Sequence, residues 1–156
     1  MEDIWNITAL VVSVLSVLLS LYALRQATTK NTSDMYLFFI SQYAKEDMKL
    51  ALRKLKDIKR GEQWESDMKN NLPKAFEYDE ARRLVKYFYD TLAYMKLEKL
   101  IEARFVRLIC LKKGAWLYLD TVEAMEKFFD SGYDKKPYAV IRDVCENLRK
   151  EGCCPP

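Results

Sequence analysis

The chain has 156 residues, of which 50% are hydrophobic and 31% are charged, and its formal net charge is +3. This is the length of one ordinary domain rather than two. The sequence contains no histidine, which excludes Ser-His-Asp and Cys-His catalysis, histidine general bases and helical zinc sites. It also contains no glycine-rich phosphate loop. We therefore expect a protein that is not an enzyme and that needs no cofactor.

An apolar run lies at the amino end. Residues 4–24 contain no charge over 21 positions, and a helix of that length covers the ~30 Å hydrocarbon layer of a bilayer at ~1.5 Å per residue. A buried core helix is the alternative. A cleaved signal peptide is disfavoured, because the first three residues are not basic and no A-x-A site follows. The sequence therefore predicts a transmembrane anchor within residues 1–27, followed by a helical domain at 28–156.

Charges on either side of the apolar run predict its orientation. Glu2 and Asp3 precede the run, and Arg25 and Lys30 follow it. Because positive charge stays on the cytoplasmic side, we expect a single-pass protein of the bacterial inner membrane. Its amino terminus would lie outside and residues 28–156 in the cytoplasm.

Small and polar residues recur along the apolar run at alternating steps of three and four positions. That alternation is typical of a left-handed helix–helix seam. Lipid tails are as apolar as leucine, so membrane helices associate through close packing of small side chains and through hydrogen bonds. We therefore expect copies of the chain to associate through this small-residue stripe, which consists of Asn6, Ala9, Ser13, Ser16, Ser20, Ala23 and Ala27.

Two other interpretations of the small-residue stripe remain open. Each serine could simply donate to the carbonyl four residues earlier in its own helix. Alternatively, a ring of copies could turn the stripe towards a narrow polar column. The pattern resembles designed leucine–serine helices that assemble into ion-conducting bundles, and a pore is therefore one form that the assembly could take.

Apolar spacing and glycine positions predict an all-α domain of about five helices beyond the anchor. Long alternating runs typical of strands are absent. The predicted helices are 33–60 (one long helix or a broken one), 79–95 with Asp79 as N-cap, 98–113, 116–130 and 135–150. Residues 28–32 are expected to form a short polar joint and residues 61–79 a loop. The glycines expected at helix ends are Gly61, Gly114, Gly132 and Gly152.

Basic residues lie along one face of the helix predicted over residues 33–60. They are Lys49, Arg53, Lys56 and Arg60. Such a face could attract the anionic cytoplasmic leaflet or a phosphate-rich partner such as RNA. An ordinary solvated helix face is the simpler interpretation. The same interpretation applies to the carboxylate pairs Glu46/Asp47 and Glu123/Glu126.

The four cysteines form no spaced pattern of metal ligands. A cytoplasmic location would keep them reduced. We expect Cys110 and Cys145 to be inert buried thiols, Cys153 and Cys154 to be tail thiols, and no metal to be bound.

Two segments carry a resemblance to known families: RQATTKNTSDMYLFFISQY, directly after the apolar run, and YFYDTLAYMKLEKLIEARFVRLI. With a span at the extreme amino end, the layout resembles an uncharacterised family of bacterial single-pass helical proteins, which implies no activity. It is also similar to the small membrane accessory proteins of type VI-B CRISPR loci, which act beside an RNA-guided RNA nuclease. This second resemblance implies a degenerate HEPN-like helical domain, oligomerisation, membrane perturbation on phage sensing and reinforced antiviral defence.

The motif of HEPN domains is an arginine followed, after four residues, by a histidine. In this chain Arg149 is followed by Cys154 at the histidine's place, so ribonuclease activity is not expected even from the resemblance. Arg149 also suits the negative end of a helix.

Two hypotheses of function follow. The first is a non-enzymatic single-pass membrane protein that self-associates, with a pore or membrane perturbation as its effect. The second is a membrane-tethered helical adaptor for a cytoplasmic protein, such as an RNA-guided CRISPR effector nuclease, or for RNA. A nucleic-acid enzyme is a third hypothesis, which the missing histidines oppose.

Overall fold

A computed structural model of the chain describes residues 2–60, 64–70, 72–129 and 133–153. These residues form helices joined by short turns, and the described part contains no strand. The predicted all-α class is therefore confirmed for this part of the chain. Contacts between Cα atoms divide the protein into two units, one ending at Met35 and the other beginning at Tyr36.

The secondary structure contains more helices than the sequence predicted, partly because several are short. The helices are α1 (Glu2–Ala44), α2 (Glu46–Arg60), α3 (Trp64–Asn70), α4 (Leu72–Leu97), α5 (Ala103–Cys110), α6 (Lys113–Leu117), α7 (Glu123–Phe129) and α8 (Lys135–Lys150). A π-helical segment, Tyr118–Val122, continues α6 into α7.

The helix predicted over residues 33–60 is interrupted between α1 and α2. Of the two predicted alternatives, the broken helix is therefore confirmed. Lys45 lies at the break, and its amide donates to the Gln42 carbonyl at 3.3 Å rather than to the carbonyl four residues earlier. Glu46 and Asp47 occupy the first turn of α2, where negative charge suits the positive end of the helix dipole.

Two segments expected to be irregular contain helical residues instead. Residues 28–32, predicted as a joint, lie within α1. Residues 61–79, predicted as a loop, include α3 and the start of α4. Asp79 is therefore not an N-cap but lies within α4, where its carboxylate pairs with Arg82 at 2.5 Å and with Arg83 at 2.7 Å.

The hydrophobic core of the second unit is built around α4. One face of α4 buries Val85, Tyr89 and Leu92 completely, and this helix contacts α2 and α8. Three tyrosine rings stack through the centre: Tyr89 on Tyr118 at 5.1 Å between centroids, and Tyr118 on Tyr138 at 4.5 Å. Aromatic side chains thus supply much of the core.

The last helix follows the sequence prediction closely. Asp134 caps α8 by accepting from the Lys136 amide at 2.9 Å, and Pro137 lies buried in the first turn, where its missing N–H costs little. Gly152 has a φ of +75° just beyond the helix. The Gly152 amide donates to the Arg149 carbonyl at 3.1 Å, which confirms the predicted glycine end.

The other glycines differ from this pattern. Gly114 lies inside α6 rather than at a helix end, so that prediction is wrong. Gly61 and Gly132 lie outside the described residues.

Within the described part of the chain, none of the helices combines the length and the apolarity that a membrane crossing requires.

Candidate functional site

The small-residue stripe lies on α1. Ser16, Ser20 and Ala23 are exposed in the single chain. The side chains of the other four predicted members lie outside the described residues; these are Asn6, Ala9, Ser13 and Ala27. Leu15, Val17, Leu18, Leu19, Leu21 and Tyr22 are also exposed on this part of α1.

One serine of the stripe has a local hydrogen bond. The Ser20 hydroxyl donates to the Ser16 carbonyl at 2.8 Å, which is the local bond that the simpler interpretation of the stripe assigns to each serine. The hydroxyl oxygen retains lone pairs that can accept a hydrogen bond from a neighbouring helix. The local bond is therefore compatible with a seam as well as with an isolated helix.

The predicted basic face lies on the exposed side of α2. The opposite side of this helix buries Met48, Ala51, Leu55 and Ile58 in the core, whereas Lys49, Arg53 and Lys56 are exposed. The side chain of Arg60, the last predicted member, lies outside the described residues.

Ion pairs reduce the free charge around this face. Lys49 pairs with Glu46 at 3.3 Å, and the neighbouring Lys54 and Lys59 pair with Glu77 at 3.4 Å and with Asp120 at 2.5 Å. Arg53 and Lys56 have no ion-pair partner among the described residues. Among the described lysine and arginine side chains of α2, Arg53 and Lys56 are therefore the ones whose charge is not offset by an ion pair.

An apolar groove lies between the end of α1, the start of α2 and the middle of α4. Its cavity volume is about 320 Å³. Phe39, Met48 and Phe88 are buried in its floor, and Phe38, Leu84 and Tyr87 are exposed along its walls. Lys45 and Asp47 add one charge of each sign to the lining.

Packed aromatic rings form the floor of the groove. The rings of Phe39 and Phe88 meet edge to face at 5.4 Å between centroids, and the Tyr43 ring lies against Phe88 at 5.8 Å. Because these rings fix the floor in place, the exposed Phe38 and Tyr87 remain beside a preformed apolar surface. The groove is not evident from the sequence, because its walls come from residues about 45 positions apart in the chain.

A second group that the sequence analysis missed is a cluster of charged side chains beneath α7. Glu123 and Glu126, predicted to be solvated, are buried. Glu126 pairs with Arg82, and Glu123 pairs with Arg142 and, at 3.0 Å, with Lys127. A signal was available: Glu126 lies at helical spacing between Val122 and Phe129, on an apolar face.

This charged cluster continues onto α4 and the π-helical segment. Lys86 pairs with Asp90, and the Tyr118 hydroxyl donates to Asp90 at 2.5 Å. Burial, together with this hydrogen bond to a carboxylate, raises the pKa of Tyr118 far above its ordinary value. Each of these charges has an opposite partner within the cluster, so the arrangement serves the stability of the fold.

Of the two residues at the motif position expected from the HEPN resemblance, the structure describes only Arg149. Arg149 is exposed in the last turn of α8, where it suits the negative end of the helix. Cys154 lies outside the described residues. Of the other cysteines, Cys110 and Cys145 are buried and Cys153 is exposed, as predicted.

The side chains described by the structure contain no group of three or more cysteine, aspartate or glutamate residues placed to hold a metal ion.

A scan against protein-family models gave no match for this chain. Searches of curated proteins and of solved structures also gave no match.

Proposed function

We propose that this chain is a non-enzymatic, single-pass protein of the bacterial inner membrane that self-associates through its small-residue stripe. The observation that carries the proposal is the run of 21 uncharged residues at 4–24, along which small and polar residues recur every three or four positions. A helix with one such edge can approach an identical helix closely in lipid.

The assembly perturbs the membrane. In the most specific version of this proposal, it forms a pore that is lined by Asn6, Ser13, Ser16 and Ser20. The resemblance to accessory proteins of type VI-B CRISPR loci supports a role for this effect in antiviral defence. Membrane attachment is tested first: full-length protein should stay in the membrane pellet after alkaline carbonate extraction. Release into the supernatant would overturn the anchor.

Self-association is tested by enlarging the stripe. Changing Ser13, Ser16 and Ser20 together to leucine should lower the mass of the full-length protein in mild detergent towards that of a monomer, because leucine keeps the backbones apart. Changing Val11, Val14 and Val17 together to leucine enlarges an adjacent face and is the matched control, which should leave the mass unchanged. An unchanged mass for the serine variant would contradict association through the stripe.

The pore is tested by reconstitution. Wild-type oligomers in liposomes should release a small trapped dye, and the Ser13→Leu, Ser16→Leu, Ser20→Leu variant should not. Retention of the dye by liposomes that contain verified wild-type oligomers would rule out a pore and leave association alone.

The exposed basic side chains of α2 favour a second candidate function, a membrane-tethered adaptor. Its ligand would carry phosphate groups, which anionic lipid and RNA share.

If the ligand is a lipid, trypsin should cleave the vesicle-bound protein after Arg53 and Lys56 more slowly in anionic vesicles than in zwitterionic ones. For RNA, protein in zwitterionic vesicles should bind a labelled oligonucleotide with an affinity that falls steeply with salt. Equal cleavage together with no binding would leave α2 as a solvated face.

A further inference from the structure

We propose that the apolar groove of the helical domain is a docking surface for a second copy of this chain. The inference rests on the proposed self-association and adds to it a specific contact outside the apolar run. It concerns the second unit only, in which the groove is formed entirely by residues after position 37.

The apolar content of the groove is the first reason. Phe38 is 55% exposed and Tyr87 is 75% exposed, although both lie beside a buried aromatic floor. Each large apolar side chain in water carries a cost that burial would remove. Aromatic anchors beside preformed pockets are also the side chains that dominate the energetics of protein interfaces. A cavity of about 320 Å³ is large enough to receive such a ring from another molecule.

The charges in the lining are the second reason, and they select the occupant. Lys45 and Asp47 lie two positions apart, and neither has an ion-pair partner among the described residues. A two-fold interface brings the same patch of both copies together, so a contact from one residue to another is repeated in the reverse direction. Lys45 of each copy would then oppose Asp47 of the other, which gives two symmetric ion pairs. A patch with one charge of each sign is self-complementary in this sense.

The same charges disfavour other occupants. A lipid acyl chain would use the apolar floor but would leave both charges without a partner. A strongly acidic or basic partner would meet one favourable and one unfavourable charge. Pairs at the rim contribute little affinity, yet they fix the register of an interface.

Photocrosslinking of the full-length protein in membranes tests the location of the contact. The photoreactive analogue p-benzoylphenylalanine would replace Tyr87 in one sample and Phe76 in another. Both residues lie on α4 and both are 75% exposed, but Phe76 lies outside the groove. Tyr87 should give a crosslinked dimer whose linked peptide comes from the groove of the second copy, and Phe76 should give at least about tenfold less.

Other crosslinking results would overturn the inference. Equal dimer yields at the two positions would show a non-specific encounter, and crosslinks from position 87 to lipid or to a different protein would show another occupant. If position 87 gives no dimer while the wild-type mass in detergent remains oligomeric, only the groove contact fails. If the wild-type mass is that of a monomer, the proposed self-association fails as well.

A charge exchange tests the symmetric pairing independently. Lys45→Asp or Asp47→Lys alone places like charges opposite each other twice per dimer, and each should lower the dimer yield from position 87 by about tenfold. The double variant Lys45→Asp, Asp47→Lys restores opposite charges and should recover the yield to within about twofold of wild type. A double variant that is as weak as the single variants would overturn the pairing. Because the side chains of Lys45 and Asp47 are both exposed, these changes leave the core intact.

Discussion

Arg82 of α4 and Glu126 of α7 form an ion pair that is almost completely removed from solvent. The exposed fractions of the two side chains are 12% and 8%. The Arg82 guanidinium also lies over the Phe129 ring at 5.1 Å and pairs with Asp79 at 2.5 Å. The pair therefore joins two helices that are separated in the sequence by more than 40 residues, and it does so in a region of low dielectric.

Glu126→Ala should lower the free energy of unfolding by about 1.5–3 kcal/mol, because the buried guanidinium of Arg82 loses one of its two carboxylate partners and keeps Asp79. Replacing both residues, with Arg82→Met and Glu126→Leu, should cost less than the single change, since no buried charge is then left over. Urea unfolding of the full-length protein in mild detergent measures both. Arg83→Ala is the control for an exposed ion pair: it removes one partner of Asp79, and because the Arg83 side chain is 73% exposed, the loss should be below ~1 kcal/mol. If Glu126→Ala and Arg83→Ala lower the free energy of unfolding equally, burial does not strengthen the Arg82–Glu126 ion pair.

Glu123 makes stability depend on pH in the acidic range. Burial by itself raises the pKa of this carboxyl, but the Tyr133 hydroxyl, Lys127 and Arg142 together outweigh burial, and the pKa lies below its ordinary value of 4.5. A carboxyl with a lowered pKa contributes stability that is fully present above pH 4.5 and is lost as the pH falls through the lower value in the folded protein.

Glu123→Gln should therefore destabilise the protein by about 1.5–3 kcal/mol at pH 7, where charged hydrogen bonds are lost. The difference from wild type should shrink as the pH falls from 4.5 towards 3. Glu77→Gln removes an exposed carboxylate that pairs with Lys54 at 3.4 Å and should leave the pH profile almost unchanged. A constant difference between Glu123→Gln and wild type across this range would show that the lowered pKa makes no contribution.

The boundaries of α4 show why part of the fold could be predicted and part could not. The apolar positions Phe88 and Leu92 indicated the helix, and both are buried. The start was placed seven residues too late, at Asp79 instead of Leu72, because an acidic residue before an apolar run is a typical N-cap. Pro73, in the first turn, was the local signal for the true start. In the structure Asp79 instead binds two arginines one turn further along.

Features that depend on distant partners could be predicted only in part from local pattern. The short helix α3 has little intrinsic stability, and its Trp64 ring packs edge to face on Phe128 at 5.5 Å. The burial of Glu126 depends on Arg82, and that of Glu123 on Arg142. The apolar groove likewise requires α1, α2 and α4 to come together. Periodicity reports which face of a helix is apolar, but it does not report which cation will neutralise a buried carboxylate.

Gly114 is required by the close approach of two tyrosines. A Cβ atom at this position would lie 2.7 Å from the Tyr89 hydroxyl oxygen and 3.0 Å from atoms of the Tyr43 ring and hydroxyl. Gly114→Ala should therefore lower the free energy of unfolding by about 1–3 kcal/mol through overpacking. Tyr89→Phe in the same chain removes the nearest clashing atom and should recover part of this loss. No recovery would mean that the Tyr43 contact alone determines the cost.

The two tyrosine hydroxyls beside Gly114 differ in their hydrogen bonds. The Tyr43 hydroxyl accepts from the Gly114 amide at 3.2 Å, whereas the buried Tyr89 hydroxyl has no hydrogen-bond partner among the described residues. Tyr43→Phe should therefore destabilise the protein by about 1 kcal/mol. Tyr89→Phe should be neutral or stabilising by up to about 1 kcal/mol, since it removes an unsatisfied buried polar group. Thermal unfolding of the two variants checks the order, and the opposite order would contradict these assignments.

The cysteines should differ widely in reactivity. Cys153 is exposed, whereas Cys110 and Cys145 are buried. A hydrogen bond with the Cys145 thiol, together with burial, raises the pKa of Cys110 far above its ordinary value. Because both Cys110 and Cys145 are buried, they must await local opening before they react. A maleimide should therefore label Cys153 roughly 100-fold or more faster than either of them. The measurement uses Cys154→Ser and locates the label by peptide mass, with denatured protein as the control in which all three thiols react. Labelling of Cys145 at the rate of Cys153 in the native protein would show that α5 and α8 separate readily.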